Sequence, residues 1–310
     1  MKKISVLIAC YNEEANVEPL VAEIVETFKN ELPNYDYEIL FIDNRSTDST
    51  RDCLRKLCSE NPKIKAIFNA RNFGPSKSSY YGILQTTGDC VVCMCADFQT
   101  PTGLIPKFVE EWEKGYKIVS AIKTKSKESF IMRIIRSLYY KVIRKMSDVE
   151  QIEHFTGFGL YDKSFVDIMR NLKDPMPYGR GIISELGYKR KDILFEQPKR
   201  RAGKSSYNLF RYYDEAMLGF TSYTKAGLRL ASITGFICAI FSFLIAIAYL
   251  VYKILYWQNF SVGIAPLVIG IFFLGSVQLL FLGFIGEYIM AINTRVMNRP
   301  LVIEEERINF

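Results

Sequence analysis

Ile4-Ser-Val-Leu-Ile-Ala-Cys10, broken at once by Tyr11-Asn12-Glu13-Glu14, is the stretch whose reading decides the fold. A nearly continuous apolar run of that length suits a strand covered on both faces, as strands of a parallel sheet are. A helical pattern follows from about Val17 to Lys29, and then Tyr37-Glu-Ile-Leu-Phe-Ile42 reads as a second strand ending at Asp43-Asn44. Ser46-Thr47-Asp48 can cap a helix over Ser49 to Ser59. Ile64 to Phe68 reads as a third strand, Ser76 to Thr86 as a helix, and Cys90 to Ala96 as a fourth strand. Strands alternating with helices predict an α/β fold with a mostly parallel, Rossmann-like sheet. Ligands of such sheets bind beyond the carboxyl ends of the strands. Tyr11-Asn12-Glu13, Asp43-Asn44 and Asp97-Phe98-Gln99 each follow a strand, so they should converge on one crevice.

The last third differs in character. Leu230 to Tyr252 and Ile254 to Gly286 carry no charge, although apolar residues are only 49% of the 310-residue chain. At about 1.5 Å per residue each run can cross a hydrocarbon core roughly 30 Å thick. The second is expected to span from about Pro266, with Gln258 and Asn259 in the intervening loop. Lys225 and Arg229 flank the first run, Arg295, Arg299 and Arg307 follow the second, and only Lys253 lies between. The positive-inside rule then places both ends in the cytoplasm. Met1-Lys2-Lys3 runs straight into the first strand pattern, so no signal peptide is expected.

Net charge is +7, which suits either nucleic acid or anionic lipid and phosphate. No nucleic-acid motif is present, and the apolar runs favour lipid. Within Phe130 to Met146, Ile131, Ile135, Leu138, Tyr139, Val142 and Met146 share one helical face, opposite Arg133, Arg136, Lys141, Arg144 and Lys145. A basic amphipathic helix of this kind suits a bilayer surface, and an ordinary surface helix fits the same pattern. A further helix over Asn208 to Tyr223 should lead into the membrane. Of the seven cysteines, Cys90, Cys93 and Cys95 resemble a metal clip, but they lie in an apolar strand without a second ligand cluster. A cytoplasmic site also argues against a disulfide framework.

Asp97 and Gln99, two apart at a strand end, can both face a cation bridging two phosphates. Mg2+ and Mn2+ favour oxygen ligands and need few from protein when phosphates supply the rest. Asp97 could equally cap the helix after Pro101, and Glu13 and Asp48 could do the same for theirs. Lys199-Arg200-Arg201 with Gly203 can bind phosphate oxygens or form a solvated basic loop. Arg180, between Gly179 and Gly181, allows the same two readings. The sole histidine, His154, reads as structural or peripheral.

Ser5-Val-Leu-Ile-Ala-Cys-Tyr-Asn-Glu-Glu14, Ile42-Asp-Asn-Arg-Ser-Thr-Asp-Ser-Thr50, Arg71-Asn-Phe-Gly74 and Ala96-Asp-Phe-Gln-Thr-Pro101 stand in the order found in family-2 glycosyltransferases. With Thr156-Gly-Phe-Gly-Leu-Tyr161, Arg201-Ala-Gly-Lys-Ser205 and Gly286-Glu-Tyr288, the chain resembles the polyprenyl-phosphate branch over its full length. That branch includes dolichol-phosphate mannose synthases and bactoprenyl-phosphate glucosyltransferases.

The resemblance implies a GT-A type catalytic domain over 1–207, including a membrane-surface helix at 130–146. It further implies a juxtamembrane helix at 208–228, two transmembrane helices within 229–293 and a cytoplasmic tail at 294–310. Tyr11, Asn12, Glu13, Asp43, Asn44 and Asp97 would hold the nucleotide-sugar, and Asp97 and Gln99 a Mg2+ or Mn2+ ion. Asp97, Gln99 and Arg201 would carry catalysis, with Arg201 and Ser205 on phosphate; Arg180 and Lys204, outside the family pattern, are assigned to phosphate on their own charge. Two departures stand out: Cys95, expected to be buried, replaces the aspartate often found two before the metal aspartate, and Ser206 replaces a lysine.

The implied reaction moves a sugar from a UDP- or GDP-linked donor to polyprenyl phosphate with inversion, at the cytoplasmic membrane face. A lipid phosphate is largely ionised near neutrality, its second pKa being about 6, so no general base is required. Transfer to a glycan hydroxyl is the alternative enzyme reading, with Asp162 and Glu185 as weak candidates for the base it needs. A catalytically degenerate scaffold or translocation subunit is the non-enzymatic one. Because two spans bury little intramembrane surface, packing is compatible with a homo-oligomer.

Overall fold

A computed structural model describes residues 1–124, 152, 155–201, 209–224, 226–256 and 264–310. The expected surface helix at 130–146, His154, Lys204, Ser205 and Ser206 lie outside the described residues. The first half alternates strand and helix: β1 (Lys3–Cys10), α1 (Glu14–Glu31), β2 (Asp36–Asp43), α2 (Thr50–Glu60), β3 (Ile64–Asn69), α3 (Pro75–Gln85), β4 (Cys90–Cys95) and α4 (Ile105–Glu113). Then come β5 (Ile118–Lys123), β6 (Phe155–Asp162), α5 (Lys163–Leu172), α6 (Gly179–Glu185) and β7 (Arg190–Phe195). The chain ends with α7 (Leu209–Tyr223), α8 (Ala226–Leu255), α9 (Ile264–Met297) and β8 (Glu304–Ile308).

All eight strands form one sheet in the order β7-β5-β6-β4-β1-β2-β3-β8. β1 pairs in parallel with β2 and β4, β2 pairs in parallel with β3, and β6 runs antiparallel to both β4 and β5. This is a GT-A-like α/β sheet, mostly parallel. Side-chain alternation divides the core between its faces. Ile4, Val6 and Ile8 of β1 pack with Val17, Leu20, Ile24 and Phe28 of α1 and Phe108 of α4. Leu7 packs on the opposite face with Tyr80 and Ile83 of α3 and Phe165 and Met169 of α5. The buried positions of α1 recur at three- and four-residue intervals, giving the apolar stripe a sheet-covering helix needs.

The segment expected as a cytoplasmic tail carries regular structure. The segment 294–310 is not a free tail: α9 continues to Met297, and Glu304–Ile308 forms β8, antiparallel to β3 at the sheet edge. Its sequence, Glu-Glu-Glu-Arg-Ile, offers no apolar run because an edge strand exposes one side and tolerates charge. β7, the other edge, is similarly charged.

Phe273–Met297, within α9, is long and apolar enough to cross a bilayer, and Ala231–Ile245, within α8, is a shorter apolar stretch. The paired spans expected over Leu230–Tyr252 and Pro266–Gly286 thus reduce to one helical stretch of full crossing length among the described residues. Three hydrogen bonds fasten α7 and the residue after it to α9: Tyr213 Oη donates to Glu287 (2.7 Å), Tyr288 Oη to the Thr224 carbonyl (2.8 Å) and Arg295 Nη2 to Ser222 Oγ (2.9 Å).

Gly159 on β6 sits where β5 approaches closely. A Cβ there would lie 2.3 Å from the Val119 carbonyl oxygen, a backbone atom that cannot rotate away. Gly159→Ala should therefore lower unfolding stability by about 1–3 kcal/mol, read as a shifted denaturation midpoint of the solubilised protein.

Candidate active site

Register brings three strand ends together. Ala9 of β1 lies opposite Cys95 of β4, and Cys10 lies opposite Asp43 of β2. With strands about 4.8 Å apart, the ends of β2 and β4 sit about 10 Å apart across β1. The polar loops after β1, β2 and β4 therefore border one crevice.

Reciprocal hydrogen bonds fasten the first two loops to each other. The Asn12 amide donates to Ser46 Oγ (2.9 Å), and Asn12 Oδ1 accepts from the Thr47 amide (2.8 Å). The Glu13 amide donates to Thr50 Oγ1 (2.8 Å), and the Ser49 amide to the Glu14 carboxylate (2.9 Å). Asn12 holds φ at +57°, a left-handed conformation that asparagine adopts more readily than most residues. Tyr11 stands exposed beside this clamp.

Asp43 is fully buried and accepts from the amides of Arg45 and Ser46, both at 3.1 Å. Burial raises its carboxyl above the ordinary carboxylate value, against the lowering effect of those hydrogen bonds and of Arg51. Asn44 joins the third loop: its Oδ1 accepts from the Phe73 amide (2.9 Å) and its Nδ2 donates to Asn72 Oδ1 (3.0 Å). The side chains of Asn12, Asp43 and Asn44 are thus committed to building the loops that border the crevice. Arg71-Asn-Phe-Gly74 enters the same network through Asn72, and Gly74 holds a φ of +90° where the chain turns into α3.

At the other end stands Asp97, also buried. One carboxylate oxygen accepts from the Gln99 amide (3.1 Å), and the other lies 2.8 Å from Arg200 Nη2. The Asp97 carbonyl accepts from the Arg201 amide (3.3 Å), and the Arg201 guanidinium lies 4.9 Å from the Phe98 ring centroid. Phe98 has a φ of +61°, a strained conformation for an aromatic residue and of the kind that collects at functional sites. Glu13 faces this group. Burial is the main cause of its raised carboxyl, Asp97 raises it further, and Asn16 and Arg200 oppose them.

Arg200 is the residue the sequence did not single out. Lys199-Arg200-Arg201 marked the right segment, but successive side chains of an extended chain diverge. Only the fold shows that Arg200 meets the Asp97 carboxylate while Arg201 stacks on Phe98. Cys95 differs from the buried thiol expected: it is exposed at the end of β4. Desolvation of its sulfur, followed by the charge of Asp97, still pushes the thiol up to about 12, so it remains protonated and a poor ligand for a hard cation. Arg180 lies on α6 at the seam with α7. There a Cβ on Gly181 would meet the Tyr223 ring at 2.1 Å.

No group of three His, Cys, Asp or Glu suited to a metal is assembled among the described residues. Asp97 and Gln99 carry the oxygen donor types a hard cation favours; Gln99 meets Asp97 here through its backbone amide, and Arg200 lies on the other carboxylate oxygen.

The sequence model of glycosyl transferase family 2 matches residues 5–168, and the chain belongs to that family. The putative glycosyltransferase CsbB of Bacillus subtilis is 33% identical over 304 residues, covering 98% of this chain and 91% of CsbB. The bactoprenol glucosyl transferase of Shigella phage SfX is 30% identical over 306 residues, covering 98% and 99% of the two chains. Among solved structures, mannosyl-3-phosphoglycerate synthase from Rubrobacter xylanophilus is a remote likeness: TM-score 0.48, 14% identity, 70% of this chain and 71% of that one.

The raised Glu13 carboxyl fixes the sign of a pH effect. The folded state holds this proton above the ordinary value near 4.5, where the unfolded chain releases it. The stabilisation from this group is complete below that value and disappears as pH rises through the raised folded pKa. Glu13→Gln should flatten that part of the stability profile, measured as denaturation midpoints from acid to neutral pH.

Proposed function

We propose that this glycosyltransferase carries a sugar from a nucleoside-diphosphate donor to a polyprenyl phosphate at the cytoplasmic membrane surface, with inversion. The observation that carries the reading is the meeting of Asp97, Gln99 and Arg200 at the end of β4, across β1 from the interlocked loops after β1 and β2. Base and ribose would lie along Tyr11 and the loops built by Asn12, Asp43 and Asn44. The diphosphate would reach Asp97, Gln99, Arg200 and Arg201. Mg2+ or Mn2+ at Asp97 and Gln99 would neutralise charge developing on the leaving nucleoside diphosphate. The arginines would bind phosphate oxygens through charge-assisted, fork-like contacts.

An ionised lipid phosphate attacks the anomeric carbon without giving up a proton, so positioning and electrostatics supply the rate. A sugar-hydroxyl acceptor would require a carboxylate base, and the two candidates are poorly placed. Asp162 pairs with Cys90, at the opposite end of β4 from Cys95, and accepts from Trp112 Nε1 at 2.7 Å. Glu185 accepts from Tyr223 Oη at 3.1 Å, at the seam with α7. Arg180, at that same seam, is suited to meet an acceptor phosphate arriving from the bilayer; Ser205 is carried over from the family pattern, and Lys204 would stand in for the lysine that Ser206 replaces.

Two crossings of the membrane are favoured by connectivity. The chain leaves the sheet domain into α8 and returns from α9 as β8 of that same sheet. A chain that begins and ends on one side crosses an even number of times. Phe236, Phe241 and Phe243 of α8 and Leu279, Leu280 and Leu282 of α9 expose large apolar side chains, as a lipid-facing pair would.

A radiolabelled panel of UDP- and GDP-sugars, with membranes and polyprenyl phosphate, tests the reading. Label should enter an organic-extractable, mild-acid-labile product only when Mg2+ or Mn2+ is supplied. Label confined to water-soluble glycan would favour the hydroxyl acceptor, and no turnover with any donor would favour the scaffold. Asp97→Ala should reduce transfer by at least about 10²-fold with membrane insertion intact. Arg200→Ala should cost kcat/KM on the order of 10²-fold. Full activity in Asp97→Ala would refute the assignment.

A further inference from the structure

The last residues of the chain reach the loops bordering the crevice. β8 begins seven residues after the end of α9 at Met297. The Ile303 carbonyl accepts from the Ala70 amide (2.9 Å), just ahead of Arg71-Asn-Phe-Gly74. Glu305 then pairs with two arginines of the β2–α2 region, Arg45 Nη1 at 2.5 Å and Arg51 Nη2 at 2.9 Å. Both arginines bear on Asp43. The Arg45 amide donates to its carboxylate, and Arg51 Nε lies 3.5 Å from Asp43 Oδ2. Arg51 is only 14% exposed and also stacks on Phe68 of β3. Neighbouring Glu306 pairs instead with Arg55, further along α2.

We propose that Glu305 is a positioning residue for donor binding: through Arg45 and Arg51 it holds the Asp43 loop in shape, so the strand following the membrane helix straps the nucleotide end of the crevice. This rests on the assignment of that end to a nucleotide. The strap links two parts of the chain that otherwise have separate tasks. Arg295, near the end of α9, bonds to Ser222, and six residues, Asn298 to Ile303, separate Met297 from β8. A displacement of α9 relative to the sheet therefore acts on a short tether that runs into the contacts of Ile303 with Ala70, Glu304 with Tyr81 of α3 and Glu305 with the nucleotide loops.

The test uses the full-length protein in lipid nanodiscs, with UDP and GDP, each with Mg2+, as binding probes. Glu305→Gln keeps shape and removes the charge. It should raise the dissociation constant of whichever nucleotide binds by about three- to ten-fold and speed amide hydrogen exchange at Arg45 and Ser46. Glu306→Gln, on the same strand, should leave both readouts within two-fold of wild type, and neither variant should shift the melting temperature. Glu305→Asp should recover part of the affinity. Unchanged nucleotide affinity in Glu305→Gln, or an equal loss in Glu306→Gln, overturns the strap while leaving the nucleotide reading in place. Wild-type protein that binds neither UDP nor GDP overturns the nucleotide reading and the proposal with it.

Discussion

Parallel pairing of β1 with both β2 and β4 is the constraint on which the molecule depends. The gathering of the loops after them follows from that shared register, because it sets the carboxyl ends of three strands side by side. The pairing itself is driven by burial. Ile4, Val6, Leu7 and Ile8 are almost completely removed from solvent, some toward α1 and α4 and Leu7 toward α3 and α5. A strand covered on both faces cannot slip by one residue without exchanging those two sets, so the register and the crevice are fixed together.

The polar loops at those ends satisfy one another before they meet any ligand. Asp43 and Asn44 spend their hydrogen-bonding capacity on the loop after β2 and on the Asn72 turn, as buried polar groups must. Asp97 is different in that its charge is balanced by Arg200, from a segment about a hundred residues away in the chain. An arginine and an aspartate in contact form a site where anionic and cationic ligands can each find a partner, and diphosphate with a divalent cation offers both.

The apolar helices and the sheet share more than a linker. α7 is hydrogen-bonded to α9, Tyr223 packs on Gly181, and β8 closes the sheet beyond β3. The apolar helices are therefore framed by contacts to the domain on both sides, through α7 before them and β8 after them.

The alternation of strands and helices from Lys3 to Cys95, the crowding of Tyr11, Asn12, Asp43 and Asp97 at the strand ends, and the apolar character of the C-terminal helices were legible in the residues themselves. Each depends on local pattern: apolar runs, turn residues and uncharged lengths. The chain could not disclose the antiparallel insertion of β6, the capture of a charged terminal segment as β8, or the choice of Arg200 over Arg201 at Asp97. Those depend on pairings between distant segments, where an exposed edge strand carries no apolar signature and neighbouring arginines differ only in the direction they point. Sequence alone determined which chemistry the strand ends carry; tertiary structure decided which groups are spent on building the loops and which carboxylate meets a guanidinium, because both are settled by contacts between residues far apart in the chain.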